Sequence, residues 1–238
     1  MEDKIVQGLW VGNELSVMER LSIASFLSHG HEYHLYVYGE VGNIPNGTTV
    51  RDARDILPES LIFQYKTHKS FSAFANFFRY KLLLERGGWW VDADTICLKP
   101  FDFPREYVFS SERYGTHEYV NCGVIKVPPG SAVMSHAWGA CCSKNREDLK
   151  WGEVGPRLIA ESVEQQSLHR FVESPHVFCP IAYPDWHAAL DPARNWHFTD
   201  DVYAVHLWNE MWRRDHRDKD QVFHRDCLYE QLKRRYLA

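Results

Sequence analysis

No stretch of this 238-residue chain approaches the roughly 18 consecutive apolar residues that a membrane span requires. A secretory leader is missing as well: residues 1–12, MEDKIVQGLWVG, begin acidic and pass straight into a strand-like run, so the chain is expected to stay in the cytoplasm. Cysteine pairing is absent as a pattern. The six cysteines are scattered, none forms a C-x-x-C pair, and the adjacent Cys141-Cys142 pair cannot easily bridge internally, which fits a reducing compartment. There is no basic excess either; a net charge of -5 leaves no footprint for nucleic acid. Internal repeats, low-complexity segments and linkers are all lacking. What is there, 45% apolar and 25% charged residues, is an ordinary soluble composition for a single domain over residues 1–238.

The charge is uneven along the chain. Residues 213–238 hold eight Lys/Arg against five Asp/Glu, leaving the remainder at -8. This basic tail reads as a solvated terminal helix of mixed charge, with peripheral contact to an anionic membrane face as the alternative.

Residues 4–11 read as a first strand, followed by a helix whose capping box is Ser16 with Glu19 and which Gly30 ends. Residues 34–38 and 48–51 read as two further strands, giving β-α-β order. A second helix over residues 70–86 carries Phe71, Phe74, Phe78 and Leu82 at three- and four-residue spacing, and Gly87 stops it. Residues 89–94, WWVDAD, then read as a buried strand. Alternation along it points Asp92 and Asp94 the same way at its carboxyl end, where open α/β sheets bind ligands. Strands at 107–111, 123–127 and 202–207 follow, with helices at 131–142 and from Pro156. The expected class is α/β.

Fifteen aspartates make about one D-x-D by chance. The second one, Asp218-Lys219-Asp220, has no strand before it and reads as surface charge. Two carboxylates held together at a strand end suit a hard divalent cation bound partly through phosphate oxygens, Mg²⁺ or Mn²⁺, and an imidazole ligand tilts the choice toward Mn²⁺. His206, at the end of the last strand, is a candidate third ligand; on spacing alone a satisfied core histidine is the stronger reading.

GLWVG, FFRYKLLLERGGWWVDAD, WGEVGPRLI, YPDWHAAL and YAVHLWN occur in the order found in D-x-D glycosyltransferases. Over residues 5–212 the chain resembles the group that includes α1,4-galactosyltransferases and Och1-like mannosyltransferases and, more distantly, clostridial glucosylating toxins. The resemblance implies a GT-A fold, with a Rossmann-like, mixed and mostly parallel central sheet flanked by helices. It implies transfer of a hexose, galactose or glucose, from a UDP-sugar to a hydroxyl of a glycan, lipopolysaccharide or lipid-linked saccharide, with retention and with Mn²⁺ or Mg²⁺. By the same resemblance Trp10 stacks on the nucleotide base, Arg79 contacts donor sugar and phosphate, Asp92 contacts ribose or donor sugar and Asp94 holds the metal. His206 and Asn209, with Trp208 between them, match the element that closes over metal and diphosphate. Asn121 lines the donor pocket, and Gly155-Pro156 forms a turn beside the substrate cleft. Many relatives carry Ser-Asp where this chain has Ala75-Asn76, which loses a charge that binds donor hydroxyls and leaves the donor open.

Two other readings stand beside this one. VDADT also fits the first motif of haloacid-dehalogenase-like phosphatases, with Ser110 and Thr199-Asp200-Asp201 as later motifs. Ser110 follows Asp94 by only 16 positions, too few for a helical crossover with generous loops. A glycan- or nucleotide-binding module without turnover is the non-enzymatic alternative.

Overall fold

The computed structural model describes residues 4–237, and a six-stranded sheet organises them. Strands β1 (Ile5–Trp10), β2 (Glu32–Val37) and β3 (Thr49–Asp52) run parallel, and helix α1 (Val17–Ser28) makes the first crossover. The start of α1 is fixed chemically. Ser16 accepts from the Met18 N–H, and the Glu19 carboxylate accepts from the Ser16 N–H at 2.8 Å, a reciprocal cap worth about 1 kcal/mol.

Helix α2 (Ser72–Arg86) buries Phe74, Phe78 and Leu82 and is stopped by Gly87 at φ +63°, after which β4 (Gly88–Val91) enters the sheet beside β1. Strands β6 (Val108–Tyr114) and β7 (His117–Val127) form a hairpin, with β7 antiparallel to β4, so the order is β3-β2-β1-β4-β7-β6. A separate antiparallel ribbon joins β5 (Thr95–Cys97) to β8 (Ala204–His206). This is the mixed sheet expected.

Trp89 and Trp90 point to opposite faces and both are buried, as a strand covered on two sides requires. On one face α2, α3 (Ala132–Ser143) and α4 (Pro156–Gln165) enclose Phe78, Trp90, Ile125, Met134 and Ile159. On the other, α1 and the short α5 (Pro175–Phe178) enclose Val6, Phe26, Trp89, Phe101 and Phe178. A third cluster lies beyond α1, where α6 (Asn209–Arg214) and α7 (Leu228–Tyr236) bury Trp212, Leu228, Tyr229 and Leu232 against Met18, Leu21 and Val205.

Three expectations need correction here. The basic tail, in its described part, is no solvated appendage: its apolar side completes this third core. Asp218-Lys219-Asp220 is also more than surface charge, because Lys219 pairs with the buried Glu19 at 2.5 Å and Asp220 accepts from the Val17 N–H at 2.6 Å. Third, the strand bearing the D-x-D ends at Val91. Asp92 to Asp94 form the turn between β4 and β5, held where the Asp92 N–H donates to Gly123 O and the Thr95 N–H to Asp92 O. None of the helices among the described residues is long and apolar enough to cross a membrane.

Candidate active site

The β4–β5 turn lies at the carboxyl end of the parallel strands, and two elements from distant parts of the chain close on it. From α2, Arg79 is buried; one terminal nitrogen donates to Asp92 Oδ1 at 2.8 Å and the other donates to Cys122 O. Trp90 Nε1 donates to the same Asp92 oxygen at 2.9 Å, and the guanidinium lies 4.9 Å from the Trp90 ring centroid. Arg79 Nε is buried with no hydrogen-bond partner among the described residues. Both terminal nitrogens being engaged, the guanidinium orients Asp92, with three of its five N–H groups left over.

From the ribbon, Thr95 registers against His206, which places His206 Nε2 3.1 Å from Asp94 Oδ1. Trp208 then turns the chain in the left-handed region at φ +59°, ψ +52°, an arrangement costing about 1–3 kcal/mol for a residue other than glycine. That turn starts α6 and aims the Asn209 N–H at Asp94 Oδ2, 2.6 Å away, so Asn209 meets the site through its backbone. The Trp208 ring lies over His206 with centroids 4.0 Å apart and is anchored by Nε1 donating to Ile181 O at 2.8 Å. Gly123 leaves room for the imidazole: a Cβ there would sit 3.2 Å from His206 Cε1.

Burial acts to raise both carboxyls. At Asp92 the Arg79 guanidinium pulls the value down and Asp94 pushes it up, and the net is above the ordinary carboxylate value. At Asp94 burial is outweighed by the His206 charge and by hydrogen bonds from His206 and the Asn209 N–H, and the net is below it. Burial alone would lower His206, but the Asp94 carboxylate more than offsets this and leaves it well above an ordinary histidine.

The remaining candidates form a supporting layer. Asn121 accepts from Ser110 Oγ at 2.5 Å and from the Gly123 N–H at 3.0 Å, fixing the stretch that makes room for His206. Asn76 is buried and accepts from Cys122 Sγ at 3.4 Å; a Cβ on Gly155 would meet its Nδ2 at 3.0 Å, which is why glycine stands before Pro156 at the start of α4. Trp10 ends β1, which runs parallel to β4, so it lies at the same edge of the sheet as the D-x-D; its Nε1 donates to Glu14 O at 3.0 Å. Sequence reasoning missed Trp90 and Cys179, whose Sγ is 3.9 Å from His206 Nδ1. Trp90 sits two residues before Asp92 and was findable by alternation; Cys179 left no signal in the pattern.

Asp92, Asp94 and His206 each offer a ligand atom, and these atoms lie within 4.8 Å of one another. Two carboxylate oxygens and one imidazole fit a divalent cation, and the direct Asp94–His206 contact stands in for bonds that both would make to it. The phosphatase reading gathers no such cluster: Asp201 is exposed and bound to His176 and Thr199, while Ser110 is tied to Asn121. Two clefts of about 520 and 610 Å³ lie elsewhere, and neither is lined by this triad.

Residues 18–114 match the family described as glycosyltransferase sugar-binding region containing DXD motif, and residues 140–236 match the α1,4-glycosyltransferase conserved region. No curated protein shows a sequence match to the chain. A solved structure described as PaToxG glycosyltransferase is similar over 69% of this chain and 69% of its own, at 16% identity and a TM-score of 0.53. The glycosyltransferase GlyE of Streptococcus pneumoniae TIGR4 is matched over 71% of this chain and 44% of that one, at 15% identity and a TM-score of 0.39. The chain thus resembles glycosyltransferases in two successive segments, the DXD region in its first half and the α1,4-glycosyltransferase region in its second, and both lie on a sheet of GT-A fold.

Proposed function

We propose that this protein transfers a hexose, galactose or glucose, from a UDP-sugar to a hydroxyl of a glycan or glycolipid acceptor, with retention and with a divalent cation. The observation that carries this reading is the convergence of Asp92, Asp94 and His206 at the carboxyl edge of the sheet. A cation held by these three groups would neutralise the departing diphosphate, and the imidazole in the set favours Mn²⁺ over Mg²⁺.

The chain's own residues do the rest by position. Arg79 and Trp90 hold Asp92 in one rotamer, facing the donor. The Asn209 N–H and His206 hold Asp94. Trp10, at the same edge of the sheet, is placed to stack on the nucleotide base, its indole fixed by Glu14 O. Neither Asn76 nor Asn121 carries a charge, so donor hydroxyls meet neutral amides or backbone, and the Asn76 position tunes which hexose fits. The mechanism proposed is one in which the leaving phosphate itself receives the acceptor proton, so that no side chain need act as nucleophile. Contact with an anionic membrane falls to the exposed Arg225, Arg234 and Arg235, and vesicle flotation with and without phosphatidylserine tests it.

The deciding experiment is UDP or GDP release from a panel of nucleotide sugars, with Mn²⁺ and with EDTA, in wild type and Asp94→Asn. Metal-dependent release from one donor, lost in a folded Asp94→Asn, is expected and names the sugar. Full activity in that variant removes the basis of the assignment.

A further inference from the structure

A transferase site must hold its acceptor on a surface that begins at the metal triad and runs outward to solvent. Such a surface leads away from His206. The Trp208 ring covers the imidazole, Tyr183 meets Trp208 edge-on at 6.2 Å between centroids, and Tyr114 lies nearly parallel to Tyr183, 20° apart at 5.7 Å. The rings come from three separate segments: the loop after β8, the 3-10 turn Tyr183–Leu190, and the outer end of β6. Local sequence does not force them together.

The hairpin that carries Tyr114 is built to project. β4 pairs with β7 only from Gly88↔Val127 to Val91↔Val124, so the far half of the β6–β7 hairpin extends past the D-x-D turn with no other strand beside it among the described residues. On that projection Tyr114 and Tyr119 are 55% and 48% exposed, two of the five large apolar residues left open to solvent among the described residues. Glu112 is directly opposite Tyr119 and on the same face as Tyr114. It is part-buried at the foot of this wall; burial pushes its carboxyl up, and the His206 charge acts in the other direction.

We propose that Tyr114, Tyr183 and Trp208 form a stepped aromatic platform that seats the acceptor's terminal pyranose rings, with Glu112 beneath to accept a hydrogen bond from a sugar hydroxyl. The C–H face of a pyranose is weakly positive and packs on the negative face of an aromatic ring, while the phenol hydroxyls bond to the sugar's rim. Rigid tyrosines do this at low entropic cost. Continuity with the metal triad points to an acceptor sugar as the occupant, since a ligand seated on these rings leads its terminal residue to His206. The assignment rests on the transferase reading, but saccharide binding needs no turnover.

The test is saturation-transfer difference NMR with lactose, cellobiose and maltose as probes, at millimolar concentration. Saturation is expected to reach the ring protons of at least one disaccharide on wild type and on Asp94→Asn. Binding should weaken about three- to ten-fold in Tyr114→Ala and in Tyr183→Ala, the share one aromatic contact carries, and return for the most part in Tyr183→Phe, which keeps the ring and loses only the rim hydroxyl. Each variant is first checked for a wild-type melting curve, and because Tyr114 is exposed its replacement leaves the core intact. Silence from all three sugars, or equal signals from wild type and the folded alanine variants, overturns the platform. Absence of donor cleavage by wild type would instead sink the transferase reading, so the two failures are told apart.

Discussion

Arg79 is the residue on which the site's geometry turns, because its guanidinium is the largest charge compensating Asp92 from inside the protein, ahead of His206. Replacing it with methionine keeps volume but leaves the carboxylate facing a buried gap. Loss of one partner of a buried ion pair costs about 3–5 kcal/mol, and with Asp92 26% exposed the expected loss lies at the lower end, read as a drop in urea midpoint. His206 gives a pH prediction. Its folded value is raised above the unfolded one, so its contribution to the metal-free protein is full at low pH and fades as pH rises through the folded value. Asp94 is depressed, so its share is present above the unfolded carboxylate value and is lost as pH falls through the folded one. A cation needs His206 neutral. Metal affinity should therefore rise by up to about ten-fold per pH unit while His206 stays protonated, with one proton released per metal bound. Calorimetry in two buffers of different ionisation enthalpy measures that proton; a buffer-independent heat would count against His206 as a ligand.

At the scale of elements, two glycines set where the site residues can be. Gly87 has φ +63°, and a Cβ on it would come within 2.4 Å of Pro129 N, so the α2–β4 junction admits no side chain. Gly87→Ala should destabilise by well over 1 kcal/mol, visible in thermal melting, since both backbone and neighbour must shift. Gly123→Ala is milder: the imidazole must move a few tenths of an ångström, and metal affinity should fall with little change in melting temperature. Much of this was legible beforehand. The helix 70–86 pattern, its stop at Gly87 and the capping box at Ser16 are local, so the sequence carries them. The D-x-D turn was not, because alternation continues through WWVDAD, whereas the chain leaves the sheet where Asp92 O accepts from the Thr95 N–H. His206 shows the same limit from the other side: nothing near it in the chain indicates Asp94, and only the β5–β8 register brings the two together.

For the whole molecule, the C-terminal segment decides between an appendage and a structural layer. Deleting residues 215–238 would strip Leu228, Tyr229 and Leu232 from the third core, each worth about 1.5–3 kcal/mol of burial, and release the Lys219 clamp on Glu19. Set against a total stability of about 5–15 kcal/mol, that loss should yield insoluble or unfolded protein instead of a trimmed enzyme. A soluble, folded truncation with wild-type nucleotide release would show the layer to be dispensable. The double anchorage of Asp94 carries one further consequence, and it concerns the order of synthesis. Asp92 and Asp94 leave the ribosome 114 and 112 positions before His206, and the Asn209 N–H that steadies Asp94 follows later still. A nascent or prematurely ended chain carries its D-x-D without the groups that hold it, and the cluster of Asp92, Asp94 and His206 is incomplete. The triad and its anchor are therefore complete only in a chain synthesised past Asn209.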